Sequence, residues 1–148
     1  MCGIAGFFGK DGAAKVRAMC DLMVHRGPDD FDMRESAGFA IGQRRLSIND
    51  LAGGRQPLTD ASGKLVLVCN GEIYNYPELR AKYEAAGYAF KTRSDSEIVL
   101  PLYLEYGEKC VEKLRGMFGF ALWDSEKRRP LRRQPSPRAH AGARRASC

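Results

Sequence analysis

Short apolar runs, separated by glycine, proline and polar residues, fill the first 126 positions of the chain and are typical of strands and helices in a single domain. Five of them are bounded by turn-forming residues and predict strands. They are residues 2–9 (CGIAGFFG), 36–46 (SAGFAIGQRRL), 64–70 (KLVLVCN), 88–92 (YAFKT) and 117–123 (MFGFALW). We expect Gly71 to end the third strand, and the DSEK after the fifth predicts a hairpin turn.

Three further segments predict helices: residues 13–25, 77–87 and 94–106. Pro77 suits a first helical turn and Gly87 a C-terminal cap. Ser94 and Glu97 have the spacing of a capping box, although Pro101 inside the same segment is unfavourable by about 3 kcal/mol. Between the second and third predicted strands, NDLAGGRQPLTDASG predicts a loop that ends in a turn. This order of elements predicts an α+β layered domain.

The pattern of apolar runs stops at Lys127. The residues beyond it include no aromatic, acidic or β-branched side chain, so we expect them to be disordered and the hairpin to lack its returning strand. The prediction is a partial domain over residues 2–129 and a basic tail over 130–148. The Arg, Ala, Pro, Gly and Ser content of the tail suggests an off-frame reading of a GC-rich gene, and a frameshift near residue 129 is our hypothesis. The alternative is a basic arm that binds an anionic surface or nucleic acid.

Charge and cysteine content narrow the possible functions. The net charge is +6, but residues 1–126 hold 16 basic and 18 acidic residues, so the basicity belongs to the tail. No apolar run is long enough for a membrane span, and no export signal is evident, so we expect a cytoplasmic protein that binds neither membrane nor nucleic acid. The five cysteines are widely spaced and only two histidines accompany them, which argues against a metal site and a disulfide framework.

Cys2 is the candidate nucleophile. Removal of the initiator Met1 would leave a free α-amine on the carbon that bears the thiol. An α-amine and a free thiol have pKa values within about one unit of each other, so one residue could supply both base and nucleophile. No histidine is then required. His25, in HRGPDD, is better explained by hydrogen bonding in a turn, and His140 lies in the tail.

Other residues could complete a site for acyl transfer. Asn70 offers a side-chain amide and Gly71 an unhindered N–H to a developing oxyanion, although an Asn-Gly pair alone more often marks a turn. Arg45 could bind a substrate carboxylate, and Asp95 or Glu72 an ammonium group. Taken singly, Arg45 is also explained as a structural arginine and Asp95 as a first-turn helix acid.

Six segments in order resemble one known family: CGI at the N-terminus, HRGPDD, RRLSINDLAGGRQPL, NGEIYNYPELR, RSDSEIVL and GMFGFALWD. Together they resemble the glutamine amidotransferase domain of asparagine synthetase, a class II amidotransferase with the N-terminal nucleophile hydrolase fold. The similarity covers residues 2 to about 129. It implies a four-layer αββα sandwich of antiparallel sheets, here incomplete at the C-terminus.

The resemblance also implies roles. Cys2 would attack the glutamine side-chain amide, giving a γ-glutamyl thioester and ammonia, and water would then release glutamate. Asn70 and the Gly71 N–H would form the oxyanion hole. The glutamine carboxylate would lie at Arg45, with Glu72 and Asp95 near its α-amino group.

In the family, ammonia passes to a C-terminal synthetase domain that amidates aspartate with ATP and magnesium. This chain contains no SGGxDS-like pyrophosphatase loop of that domain, so no cofactor is expected here. A separate synthetase chain could accept the ammonia, and the domain could form a homodimer. Gln43 stands where many relatives have histidine. The alternative to a glutaminase is an inactive remnant or an interaction module with a basic arm.

Overall fold

The computed structural model describes residues 2–46 and 55–133, in which two antiparallel sheets lie between helices. The first sheet has the strand order β1-β3-β2, and the second sheet β4-β5-β6-β7. The strands are β1 (Gly3–Phe8), β2 (Asp30–Ser36), β3 (Phe39–Arg45), β4 (Leu58–Thr59), β5 (Leu65–Ile73), β6 (Gly116–Asp124) and β7 (Arg129–Arg133). The helices are α1 (Gly12–Leu22), α2 (Tyr76–Ala85) and α3 (Val99–Tyr106), with 3-10 helices at Val24–Arg26, Asp95–Ile98 and Gly107–Lys113.

The two sheets meet through an inter-sheet core. Its buried members are Phe39, Ile41, Val66, Val68 and Trp123. The Trp123 ring stacks on Phe39, with centroids 4.8 Å apart, and on Phe8 at 5.7 Å. Because successive residues of a strand point to opposite faces, even-numbered residues of β1 and β5 and odd-numbered residues of β3 and β6 face this core.

Helices cover the outer face of each sheet. Val16 and Cys20 of α1 pack against the first sheet at Ala5 and Ala40. On the second sheet, the odd-numbered residues of β5 join the buried side chains of α3 and the preceding 3-10 helix in a larger, helix-side core. The layers run helix, sheet, sheet, helix, which confirms the αββα sandwich. Among the described residues, no helix is long and apolar enough to cross a membrane.

Two strand predictions need correction. Gly71 does not end β5, which continues to Ile73 because the glycine adopts a φ of 123° within the ladder. Residues 88–92 form no strand. Instead, Tyr88 and Phe90 pack against the helix-side core, and the Arg80 guanidinium lies 4.3 Å from the Phe90 ring centre.

Two other strands had no clear apolar pattern. β2 is largely exposed and is held by pairing along β3, and β4 is a two-residue strand inside the predicted loop. Residues 49–54 of that loop lie outside the described residues.

The predicted capping box is wrong in one half. The Ser94 hydroxyl accepts a bond from an N–H of the first turn, but Glu97 does not reach back to Ser94. Its buried carboxylate accepts the N–H groups of residues 91–92, each at 2.7 Å. Pro101 is accommodated because residues 95–98 form a 3-10 turn, which leaves the proline in the first turn of α3.

The prediction that the hairpin lacks a returning strand is also wrong. Residues RPLRR form β7, which pairs antiparallel with β6 from Asp124↔Arg129 to Phe120↔Arg133. Leu131 packs against the helix-side core. The predicted tail is therefore ordered over residues 130–133, and 134–148 lie outside the described residues. The frameshift hypothesis stays a prediction.

Candidate functional site

Cys2 lies directly before β1, on the side that faces the second sheet. Strand alternation gives this direction, since Ile4 and Phe8 pack against the inter-sheet core. The Leu46 backbone N–H donates to Cys2 Sγ at 3.4 Å, and the thiol lies 3.7 Å from the Leu46 carbonyl oxygen. The thiol is partly exposed, so a substrate can reach it.

Arg45 ends β3 beside Cys2. Gly3 pairs with Arg44 across the ladder, so Cys2 comes opposite Arg45, which is 7% exposed and faces the second sheet. The HRGPDD segment fixes this part of β3. A Cβ at Gly27 would lie 2.4 Å from the Arg44 carbonyl carbon, and the Asp29 N–H donates to the Arg45 carbonyl at 3.1 Å. His25, in the preceding 3-10 turn, is exposed, as a turn residue would be.

Asn70 and Gly71 lie on β5 of the opposite sheet. The Asn70 side chain faces the first sheet, because Val66 and Val68 on the same face belong to the inter-sheet core. Its partner on β6 is Gly119. Gly71 has a φ of 123°, and a Cβ there would lie 2.0 Å from the Met117 carbonyl oxygen. An amide side chain and an adjacent glycine with an unhindered N–H therefore lie on the strand that faces the Cys2 side of the first sheet.

The outer edge of β5, the edge away from β6, carries an unusual series of side-chain contacts. The Cys69 N–H donates to Gln56 Oε1 at 2.6 Å, and its carbonyl accepts Gln43 Nε2 at 2.9 Å. Further along, the Ile73 N–H donates to Asp95 Oδ2 at 2.7 Å. Gln43 and Gln56 are both buried.

These two glutamines were not predicted as site residues. Gln43 follows Phe39 and Ile41 on the inward face of β3, so a polar residue at a core position was the available signal. Gln56, in a polar loop before a proline, gives no such signal.

Glu72 and Asp95 differ in how the fold holds them. Glu72 is exposed on β5, on the face shared with Asn70. Asp95 begins the 3-10 helix, and besides the Ile73 N–H it has the Ser96 hydroxyl 3.4 Å from its second oxygen.

Cys69, one residue before Asn70, is a buried thiol. Burial raises its pKa to about 12, although a hydrogen bond with the Ser96 side chain acts in the opposite direction. Cys69 therefore stays protonated at neutral pH and is a poor nucleophile.

A cavity of about 640 Å³ lies elsewhere, lined by residues 9–13, 35–39 and Arg128 at the opposite end of β1 from Cys2. It contains none of the predicted site residues. His140 lies outside the described residues. Within residues 2–46 and 55–133, no group of three or more His, Cys, Asp and Glu side chains could hold a metal ion.

A cysteine that follows Met1 and precedes the first strand of an αββα sandwich of antiparallel sheets is typical of the N-terminal nucleophile hydrolase class. Within that class, the chain belongs to the glutamine amidotransferase domain family, whose model matches residues 1–134. A solved structure of the glutamine phosphoribosylpyrophosphate amidotransferase of Bacillus subtilis shows the same fold. Its TM-score is 0.68 at 19% identity, over 84% of this chain and 35% of that one.

Relatives of higher identity confirm the resemblance to asparagine synthetases. Asparagine synthetase [glutamine-hydrolyzing] 1 of Bacillus subtilis is 43% identical over 131 residues, 84% of this chain and 21% of the relative. Asparagine synthetase B of Escherichia coli is 45% identical over 132 residues, 86% of this chain and 24% of the relative. The chain thus spans less than a quarter of the length of these relatives.

Proposed function

We propose that this domain hydrolyses the side-chain amide of glutamine, with Cys2 as the nucleophile. The observation that carries the proposal is the position of the Cys2 thiol, held at Leu46 on the face of the first sheet that looks toward Asn70. Nucleophile and oxyanion donors come from facing sheets, so the substrate amide would enter between them.

The first step forms a thioester. After loss of Met1, the α-amine of Cys2 takes the thiol proton as sulfur attacks the amide carbon. The negative charge that develops on the amide oxygen is stabilised by the Asn70 side-chain amide and the Gly71 N–H. The amine then passes the proton to the departing nitrogen, the C–N bond breaks, and ammonia leaves.

The second step restores the enzyme. Water, deprotonated by the same amine, attacks the γ-glutamyl thioester, and the same donors stabilise the oxyanion. The C–S bond breaks, the proton returns to sulfur, and glutamate is released.

The remaining residues suit the charged end of glutamine. Arg45 would bind its carboxylate by paired hydrogen bonds. Glu72 and Asp95 would hold its ammonium group. Asp95 can do so while bonded to the Ile73 N–H, because a carboxylate accepts about four hydrogen bonds.

The names of the relatives support a destination for the ammonia. We propose that it amidates aspartate in a synthetase domain or chain, where ATP and magnesium would activate the acceptor. This part of the proposal rests on the similarity alone.

Replacement of Cys2 tests the nucleophile. Cys2→Ala should lower glutamate release at least about a thousandfold, with unfolding free energy unchanged within about 0.5 kcal/mol because Cys2 is partly exposed. Cys110→Ala is the matched control: it removes a buried thiol from the 3-10 helix after α3, so it should lower stability and leave turnover intact. Turnover that persists in Cys2→Ala would refute the mechanism, as would full activity of a chain that mass spectrometry shows to retain Met1.

A further inference from the structure

Part of the outer edge of β5 faces no strand among residues 2–46 and 55–133. In that part of the chain, β4 pairs with β5 only at Leu58↔Leu67 and Thr59↔Val66. Cys69 and Ile73 are buried there, and their main-chain groups would cost about 1–3 kcal/mol each if they were left unpaired. Side chains therefore have to supply the partners.

Alternation along β5 shows which groups face that edge. The Lys64 carbonyl and the Tyr74 N–H bond across to the β6 side, so the even-numbered residues between them turn that way. The odd-numbered residues Cys69, Gly71 and Ile73 turn to the outer edge. The bonds of Cys69 and Ile73 to side chains agree with this assignment.

Gly71 lies between the two bonded residues. Within residues 2–46 and 55–133, no side chain accepts its N–H, whereas the N–H groups of Cys69 and Ile73 each have a side-chain acceptor. Side chains bond to the edge of β5 on each side of Gly71, and the Gly71 N–H between them is left for a ligand.

Gln43 connects this edge to the nucleophile. It belongs to β3, whose chain continues through Arg45 to Leu46, and the Leu46 N–H contacts Cys2 Sγ at 3.4 Å. Its own amide holds the Cys69 carbonyl at 2.9 Å, one residue before Asn70. β3 and the residue that follows it therefore contact both the Cys2 thiol and the segment of β5 that carries the candidate oxyanion donors.

We infer that Gln43, assisted by Gln56, is a positioning residue that fixes the Asn70 and Gly71 donors relative to Cys2. The inference rests on the proposed glutaminase function. Oxyanion donors act only within about 2.7–3.1 Å of the developing charge, and a displacement of about 1 Å can lower the rate a hundredfold. Gln43 therefore acts on the transition state and not on binding of the ground state.

Gln43→Met tests this, because it keeps the length of the side chain and removes the donor. We expect kcat for glutamate release to fall about tenfold to a hundredfold, with KM for glutamine within about twofold of wild type. Alkylation of Cys2 by iodoacetamide needs no oxyanion hole, so its rate should not change. Gln43→His retains an N–H donor and should restore kcat to within about threefold of wild type.

Tyr103→Phe is the matched control. It removes a buried hydrogen bond of 2.9 Å to Asp124 at the β6–β7 turn, together with a partly buried one from Lys127 Nζ, so it should lower stability and leave kcat unchanged. An unchanged kcat in Gln43→Met would overturn the inference, as would a rise in KM alone or an equal loss of alkylation rate.

A measurement without substrate separates this inference from the proposed function. In ¹⁵N–¹H spectra of the substrate-free chain, the Gly71 amide should shift in Gln43→Met and Gln56→Met and stay in place in Tyr103→Phe. An unmoved Gly71 resonance would overturn the positioning role whether or not the chain hydrolyses glutamine. If the Gly71 resonance shifts in these variants but the wild-type chain shows no turnover, only the proposed function is contradicted.

Discussion

Gly71 and Gly116 occupy positions where two backbones approach more closely than a side chain allows. A Cβ on Gly71 would lie 2.0 Å from the Met117 carbonyl oxygen, and one on Gly116 would lie 2.0 Å from the Glu72 carbonyl oxygen. Both glycines have positive φ, at 123° and 150°. The close approach of β5 and β6 at this point is what gives the candidate oxyanion segment its shape.

We predict that Gly71→Ala lowers the free energy of unfolding by more than about 3 kcal/mol, because the methyl group adds a clash to an unfavourable φ. Gly63→Ala is the control. Gly63 also has a positive φ, 72°, but has nothing within 4 Å of the added carbon, so the cost should be about 1 kcal/mol. Urea denaturation measures both, and equal costs would contradict the steric argument.

The Asp124 carboxyl predicts a dependence of stability on pH. Burial by itself would raise its pKa, but hydrogen bonds from the Lys127 N–H and the Tyr103 hydroxyl, and the Lys127 ammonium, lower the pKa below its usual range. A carboxyl whose pKa is lower in the folded state contributes stability that is complete above about pH 4. That stability is lost as the pH falls through the folded-state pKa.

Asp124→Asn should therefore destabilise the protein by about 1.5–3 kcal/mol at pH 7 and flatten the loss of stability below about pH 4. Unfolding free energies measured from pH 7 to pH 2 check this. An acid limb as steep as that of the wild type would show that other carboxyls account for it.

At the level of single residues, the sequence was sufficient to nominate candidates whose chemistry is unusual by type and place. Cys2 behind the initiator and the Asn70-Gly71 pair after an apolar strand are such candidates, and they stay predictions. Gln56 gave no such signal, since its bond to Cys69 depends on β4 beginning only at Leu58, and that start is set by tertiary pairing. Glu97 was assigned to a local cap, but its carboxylate binds the loop before it, a choice that tertiary burial decides.

Among the elements, β7 shows how a basic, proline-containing segment can still be a strand. Leu131 falls on the helix-side face, and the arginines extend toward solvent. Pro130 pairs with Trp123 at a position whose main-chain groups turn to the outer edge, so its missing N–H removes no ladder bond. The composition of this segment predicted disorder because composition carries no information about which edge of a strand a proline faces. β5 and β6 were predictable because continuous apolar runs mark strands buried on both faces.

Paired variants of β7 test this account. Leu131→Ala should cost about 1–2 kcal/mol, since a partly buried aliphatic side chain is lost from the helix-side core. Pro130→Ala should change stability by less than about 0.5 kcal/mol but add an edge N–H, and so increase association at high concentration. Denaturation and light scattering measure the two effects. Equal destabilisation by both changes would contradict the assigned faces.

For the whole molecule, the two sheets share one aromatic contact that reports on their docking. Trp123 is the single tryptophan of the chain, and its ring stacks on Phe8 and Phe39 of the opposite sheet. The family resemblance implied facing sheets, but no single strand pattern in the sequence specified which residues would meet between them.

We predict that tryptophan fluorescence and far-ultraviolet circular dichroism give the same unfolding midpoint in urea. The reason is that separation of the sheets would expose the inter-sheet core on both of them, and each sheet would then keep only its helix-covered face buried. Two resolved transitions, with fluorescence changing first, would show that the sheets separate before they unfold.

The side chains along the outer edge of β5 also imply an order of events during refolding. Gln43, Gln56 and Asp95 come from three separate segments, and each of their side chains bonds to a main-chain group on the edge of β5. Such a bond needs a strand edge that has already formed, so these contacts follow the strand and do not nucleate it. A chain that has regained its strands but not these three contacts would have the thiol and the amide without their alignment, so enzymatic turnover should be the last property to return.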